Sequence, residues 1–314
     1  MNKIFVTGGS GFVGSNVLKL LLQRGDCQVT VFDLKPPQGL AVDFVEGSIG
    51  DAEALARAMK GHDRVFHLAA MLGVEACQKD EALVYETNVQ GTRNVLAAME
   101  AHGIKRLLFS SSSEIYGDGQ AEQFREVDVP QPKSAYGKSK VEGERLSQQF
   151  AERTGSVATV VRLFNVYGPG QREDFVMVRF CRGAISNSLL QVHGTGAQTR
   201  TFTFIDDAAK GIVAAAFAPQ QRPFEIFNIG SKETVTISTL AQRIREIANS
   251  QSPLEVVPFG ATQVGRNLSF EVFRRIPDVA KAARQIPFEA STSLTEGIRR
   301  TLEWVRDGKQ GDGA

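Results

Sequence analysis

The sequence predicts an α/β fold: a parallel sheet wound on both faces by helices, followed by a smaller, discontinuous C-terminal lobe. Three observations predict it. The first half of the chain alternates short β-branched runs with stretches carrying apolar residues at helical spacing, which is the pattern of a sheet buried on both sides. The first of these runs ends in a glycine turn that opens directly into a helix. Beyond residue 162 the alternation gives way to a Gly/Pro-containing loop and shorter, less regular elements.

Taken in order, strands are expected at residues 3–7, 28–32, 64–67, 106–110 and 157–162. Helices are expected between them at 12–24, 52–59, 81–101 and 135–153, where apolar side chains recur every three to four residues. Right-handed crossovers then give a doubly wound sheet. After the loop YGPGQ a helix is expected near 176–184, and segments around 200–219 and 224–229 are expected to return to the sheet. The expected organisation is a doubly wound domain over 1–164 with those returning segments, a smaller discontinuous lobe over 165–306, and a flexible glycine- and charge-rich tail over 307–314.

A chain of 314 residues with 42% apolar residues can bury a large core. With 36 basic and 35 acidic residues, it offers no electrostatic ground for a nucleic-acid partner. Cys27, Cys77 and Cys181 are odd in number and widely spaced, so neither a disulfide framework nor a metal-ligand pair is suggested. His62, His67, His102 and His193 lack partners at ligand spacing; structural roles are expected for them, and no metal. No apolar stretch reaches membrane-spanning length, and the opening MNKIFVTGG runs straight into a strand and turn, so a cytoplasmic location is expected.

The segment IFVTGGSGFVG places Gly8, Gly11 and Gly14 between the first strand and first helix, where free amides can face a pyrophosphate. Glycine is required because a Cβ would block close approach. The spacing is G-x-x-G-x-x-G, and alone it is also compatible with a plain tight turn. Asp33, ending the second strand in VTVFD, lies where an acid would accept hydrogen bonds from ribose hydroxyls, and its carboxylate would repel a 2′-phosphate. NAD is therefore the expected cofactor, with Lys35 keeping NADP as the minor alternative.

The fourth strand runs into LLFSSSSEIYG, and SAYGKSK follows with Tyr136 and Lys140 one helical turn apart on one face. A phenol of ordinary pKa about 10 is a poor base at neutral pH, but a neighbouring ammonium and a bound nicotinamide cation both favour the phenolate. Tyr136 is the expected base, with Lys140 reaching both it and a cofactor ribose. Ser112 is the expected hydroxyl beside the reacting oxygen, with capping of its own backbone the competing role.

These residues make the chain resemble the extended short-chain dehydrogenase/reductase family, in its nucleotide-sugar epimerase/dehydratase/decarboxylase branch. The similarity covers nearly the whole length through TGGSGFVG, Asp33, HLAA, NVQGT, SSSSEIYG, YGKSK, RLFNVYGPG, QTRTFTFIDD, FNIGS and EGIRRTLEW. The resemblance implies a Rossmann-type fold and an NAD-dependent enzyme acting on a nucleotide-diphosphate sugar. Its cofactor residues would be Gly8, Gly11, Phe12, Val13, Gly14, Asp33, Ser48, Ile49, Leu68, Ala69, Ala70, Asn88, Ser110, Tyr136 and Lys140. Within that set Asn88 is expected to fix backbone near the site, and Ser48 stands where many relatives carry an aspartate facing the adenine. Ser112, Tyr136 and Lys140 would be catalytic. Ser112, Ser113, Asn165, Arg200 and Arg275 would contact substrate, both arginines suiting a diphosphate through their planar donor fork; Arg274 is the rival assignment for Arg275. The resemblance also implies a homodimer through the helices at 81–101 and 135–153.

Two departures bear on the reaction. Ser113 stands where dehydratases with an Asp–Glu pair have aspartate, whereas Glu114 matches the glutamate of decarboxylases and of dehydratases with a Ser–Glu pair. Glu114 is therefore a candidate acid or base at C5, or a brace for its loop. The expected reaction is 4-epimerisation through a transient 4-keto sugar. Decarboxylation of the UDP-glucuronate type or dehydration using Glu114 is the nearest alternative. A net reductase of small carbonyl compounds and a non-catalytic NAD-sensing protein are the alternatives from other classes.

Overall fold

The structure, a computed structural model, describes residues 1–72, 80–119, 121–219, 222–259 and 271–308. Cys77 and residues 309–314 of the expected tail lie outside the described residues. The first half runs β1 (Asn2–Thr7), α1 (Phe12–Gln23), β2 (Cys27–Asp33), β3 (Asp43–Glu46), α2 (Ala52–Met59), β4 (Arg64–His67), α3 (Glu81–Tyr85), a π turn (Glu86–Gln90) and α4 (Gly91–Ala101). It continues with β5 (Arg106–Ser112), a 3-10 turn (Ser113–Tyr116), α5 (Ala135–Thr154) and β6 (Val157–Leu163). Then come β7 (Val166–Tyr167), α6 (Val176–Ile185), β8 (Leu190–His193), β9 (Thr199–Thr201), β10 (Thr203–Phe204) and α7 (Ile205–Phe217). The remainder is β11 (Phe224–Ile229), β12 (Thr234–Thr236), α8 (Ile237–Ile247), β13 (Leu254–Val257), β14 (Arg274–Arg275), α9 (Ala280–Gln285) and α10 (Leu294–Arg306).

Seven strands form one sheet in the order β11-β6-β5-β4-β1-β2-β3, all parallel. The chain enters in the middle at β1, winds outward to β3, then returns and winds the other way from β4. This is the doubly wound, Rossmann-type order, and the reversal opens a crevice beyond the carboxyl ends of β1 and β4.

Side-chain alternation divides the core. Ile4 and Val6 of β1 pack with Leu18, Leu21, Ile212 and Ala216 under α1 and α7, whereas Phe5 between them packs with Leu55, Met99 and Phe150 under α2, α4 and α5. A third cluster, including Met177, Phe180, Leu240, Ile298 and Leu302, joins α6, α8 and α10 into the core of the C-terminal lobe. Phe12 and Val13 of α1 pack against that cluster, which ties the glycine turn to the lobe. Among the described residues no helix is long and apolar enough to cross a membrane.

Three details differ from the sequence reading. Of the segments expected to return to the sheet, Phe224–Ile229 does so as an edge strand, but Ile205–Phe217 returns as a helix laid on the sheet face. The stretch 81–101 is not one uniform helix; a π turn at Glu86–Gln90 interrupts it and turns Asn88 inward. The edge strand β3 was not anticipated, because only four residues long and mostly exposed it carries little apolar alternation.

Candidate active site

The glycine turn is shaped by close backbone approach. Gly8 has φ +74°, and a Cβ there would meet the backbone of Leu68 and Ala69 at the end of β4. At Gly14 a Cβ would run into the Gly8 carbonyl oxygen. Gly11 differs, since an added Cβ would have no neighbour nearer than 3.6 Å. Gly11 also sits at the N-terminus of α1, whose first turn has no acidic residue and no side-chain cap, so its amides remain available to an anion. Two glycines thus make the turn possible and the third keeps its outer side clear.

Asp33 closes the far side of this cradle. Its Oδ2 accepts from the Ser10 amide at 2.9 Å and its Oδ1 from the Leu34 amide at 2.8 Å, which fixes a carboxylate at the tip of β2. Ser48 accepts from the Gly50 amide at 3.1 Å, and Ile49 is buried against Gly91. Leu68 and Ala69 are held to β1 through Thr7, by 3.0 Å and 3.4 Å hydrogen bonds, and Ala70 follows them out of the sheet. A backbone cradle backed by a fixed acid suits the pyrophosphate and ribose of a dinucleotide.

Beneath it lies a layer of satisfied polar groups. His67 is fully buried between Thr7 Oγ1 at 2.8 Å and Thr92 Oγ1 at 3.0 Å, and burial, reinforced by the charge of Lys140, pushes its pKa down to about 3. It is a neutral structural ring. Asn88 Oδ1 accepts from the Met71 amide at 2.7 Å, and its Nδ2 donates to the Met71 carbonyl and to Ser139 Oγ, both at 3.0 Å. Asn88 therefore ties the strand-end loop to α5.

Ser134 caps α5 by accepting from the Gly137 amide at 3.0 Å, and Gly137 lets the helix approach the Glu114 carbonyl. Tyr136 and Lys140 follow on the first two turns. Lys140 is buried, its Nζ donating to the Ser110 carbonyl at 2.7 Å and lying 5.7 Å from the centre of the Tyr136 ring. Burial lowers its pKa to about 8, with Glu144 acting in the opposite direction. Ser112 is half-buried at the end of β5, and its Oγ accepts from the Glu114 amide at 3.2 Å. Capping is thus one role of that hydroxyl. Ser113 beside it is buried.

Glu114 reaches toward the lobe. Its Oε1 lies 2.5 Å from Arg275 Nη1 and its Oε2 accepts from Ser134 Oγ at 3.4 Å. Arg275 pairs in register with Arg200 across β14 and β9. Arg275, 8% exposed, is the inward member of its pair, while Arg274 faces out. Arg200 Nη2 lies 2.6 Å from Glu271 Oε1, and burial, then the neighbouring Arg275, lowers its pKa to about 10. Asn165 holds φ +36° and donates to the Thr201 carbonyl at 2.8 Å, so it anchors β9 to the end of β6.

The structure thus gathers the glycine turn, Asp33, Ala69, Lys140 and Ser110 along the crevice, and Glu114, Arg275 and Arg200 on its lobe side. Sequence reasoning missed three neighbours of the site. Glu144 could have been read, since it stands four residues after Lys140 on the same helix face. Ser134 carries the usual signal of a helix cap. Glu271 has no local signal, because its partner is 71 residues away.

The family model described as the NAD dependent epimerase/dehydratase family matches residues 4–230. A UDP-N-acetyl-alpha-D-glucosaminuronate decarboxylase of Bacillus cytotoxicus is 34% identical over 97% of this chain and 98% of its own length. A UDP-glucuronate 4-epimerase of Thermodesulfobacterium geofontis is 29% identical over 98% of this chain and 97% of its own. The solved UDP-glucuronic acid 4-epimerase of Bacillus cereus, in complex with UDP-glucuronic acid and NAD, superposes with a TM-score of 0.88 at 26% identity, covering 98% of this chain and 100% of that one.

Proposed function

The chain belongs to the NAD-dependent epimerase/dehydratase family, and on that premise we propose that it inverts C4 of a nucleotide-diphosphate sugar through a transient 4-keto intermediate. NAD, when bound, supplies the acceptor and then the donor of a hydride equivalent. Gly8, Gly11 and Gly14 would admit its pyrophosphate, with Asp33 on the adenosine ribose. Tyr136 would take the proton of the C4 hydroxyl and give it back, Lys140 would hold the phenolate, and Ser112 would share a hydrogen bond with the reacting oxygen. Arg200 and Arg275 would receive the diphosphate.

The observation that carries this reading is the Tyr136–Lys140 helix face. Lys140 is buried, with its pKa brought down to about 8, and it lies against the strand tip that carries Ser110 and Ser112. A buried amine 5.7 Å from the centre of the phenol ring and bonded to a strand-end carbonyl supports this reading, and catalysis would come from positioning and pKa adjustment.

A second reading is favoured by one specific observation, the 2.5 Å ion pair between Glu114 and Arg275. A carboxylate held next to the guanidinium assigned to the diphosphate would be near enough to the sugar to act as acid or base at C5, and the 34% identical relative is a decarboxylase. Incubating the purified protein with a panel of nucleotide sugars and catalytic NAD separates the two. A C4 epimer of unchanged mass supports epimerisation; release of carbon dioxide, or a mass loss of water, overturns it.

We also propose a homodimer formed through α3, α4 and α5, supported by the exposed Leu83 and Tyr85 on α3. Light scattering at micromolar concentration tests it, a monomeric mass being the contrary result.

A further inference from the structure

Tyr136, Lys140 and Glu144 recur every four residues and share one face of α5. Glu144 is 6% exposed, and three donors hold its carboxylate: Arg162 Nη2 at 2.7 Å, Arg162 Nε at 2.9 Å and Ser111 Oγ at 2.5 Å. Arg162 is itself fixed from behind, donating to Tyr116 Oη at 2.8 Å and to the Glu126 carbonyl at 3.0 Å, and Tyr116 donates in turn to Asn228 Oδ1 at 2.7 Å. Ser111 lies between Ser110, which accepts from Lys140, and Ser112. One carboxylate therefore grips the strand tip on which both halves of the candidate site rest.

We propose that Glu144 is a positioning residue for the Tyr136–Lys140 pair, pinning through Ser111 the β5 tip whose Ser110 carbonyl holds Lys140. The proposal rests on the proposed function only for the role of that pair. Burying an ion pair is a poor means of gaining stability, since well-packed apolar residues usually do as well. Its local effect is electrostatic.

The groups around Lys140 explain why that effect matters. On α5 itself stand Tyr136 and Glu144. From β4 comes His67, which is neutral; from β5 come the Ser110 carbonyl and the Phe109 ring, 5.0 Å from Nζ. From β6 comes Arg162, paired with Glu144, and Glu114 on the 3-10 turn is engaged with Arg275. Among the described residues Glu144 is thus the acidic group that acts on Lys140, raising its pKa against the burial that lowers it. Without it, Lys140 would lose its proton nearer to neutral pH and cease to support a phenolate.

The test follows the Lys140 ε-resonance by NMR in the purified full chain labelled at lysine, alongside the pH profile of nucleotide-sugar turnover with NAD. In Glu144→Gln the Lys140 titration and the alkaline limb of activity are both expected to fall by about one pH unit. Glu144→Asp, which keeps the charge, should recover much of both. Because Glu144→Gln strands the Arg162 charge and can fail to fold, the paired variant E144Q/R162M removes both charges, and it too should leave Lys140 titrating below the wild-type value. A Lys140 titration unmoved in either folded variant overturns the proposal, as does a titration that moves while the alkaline limb stays. If no nucleotide sugar is turned over at all, the proposed reaction fails, and the NMR titration alone still supports or overturns the hold of Glu144 on Lys140.

Discussion

Glu114 Oε1 lies 2.5 Å from Arg275 Nη1, joining two residues 161 positions apart and tying the turn after β5 to β14. Arg200, the register partner of Arg275, is paired in the same way with Glu271. Two acids therefore occupy the two guanidinium groups proposed to receive a diphosphate.

An incoming diphosphate competes with these carboxylates for the same donors. Replacing Glu114 by glutamine frees Arg275 and removes a like charge, so E114Q is expected to bind the nucleoside diphosphate of the substrate that the panel identifies roughly 3- to 10-fold more tightly, equivalent to about 1 kcal/mol for a partly exposed pair. Calorimetry checks this. The same variant discriminates between the reactions. Epimerisation should persist within about 10-fold, whereas a decarboxylation or dehydration that uses Glu114 as acid or base should fall by at least about 100-fold.

Gly11 and Gly14 are three residues apart and answer to different constraints. A methyl group at Gly14 would collide with the Gly8 carbonyl, so G14A is expected to lower Tm by several degrees and impair folding. A methyl group at Gly11 meets nothing nearer than 3.6 Å, and the backbone there has φ −78°, which alanine adopts without strain. G11A should therefore fold with a Tm within a few degrees of wild type and yet lose roughly 10-fold or more in NAD affinity, because the added carbon would stand where the proposed function puts the pyrophosphate. A fluorescence titration with NADH reads that loss; unchanged affinity would remove Gly11 from the cofactor site.

Tyr136→Phe keeps the ring and removes only the hydroxyl. Turnover is expected to fall by about 10²- to 10⁴-fold, the usual worth of a general base, while NAD affinity and Tm stay close to wild type. Steady-state kinetics on the substrate identified by the panel, alongside thermal unfolding, separate this chemical loss from a structural one.

How much of this was legible in the sequence depended on how local each determinant is. The glycine turn, Asp33 and the Tyr136–Lys140 spacing are short-range patterns, and the structure brings them to one crevice. The strands β1, β2, β4, β5 and β6 announced themselves because each carries a consecutive run of apolar or β-branched residues buried on both faces, such as residues 4–7, 29–32 and 158–161. The lobe did not. Strands β9, β12 and β14 are two or three residues long and exist only by pairing with one another, so no periodicity can mark them. The Glu271–Arg200 and Glu144–Arg162 pairs are likewise products of the fold. Glu144 alone had a local trace, the four-residue step from Lys140.

His67 offers a pH prediction whose sign can be worked out. Its folded-state pKa is brought down to about 3, whereas an exposed histidine titrates near 6.5. Below about pH 6.5 the unfolded chain takes up a proton that the native ring refuses, so this residue's contribution to stability is complete above that pH and is lost progressively toward pH 3. Between pH 6.5 and pH 5 the loss amounts to roughly 2 kcal/mol. Replacing His67 by asparagine removes the titrating ring while keeping polar groups near Thr7 and Thr92. H67N is expected to be less stable than wild type at pH 7, because two buried hydroxyls lose well-placed partners. Its stability should nevertheless decline less steeply as the pH falls to 5, so that the two proteins converge. Urea unfolding at pH 7, 6 and 5 measures both slopes, and parallel slopes would show that His67 does not carry the acid sensitivity assigned to it.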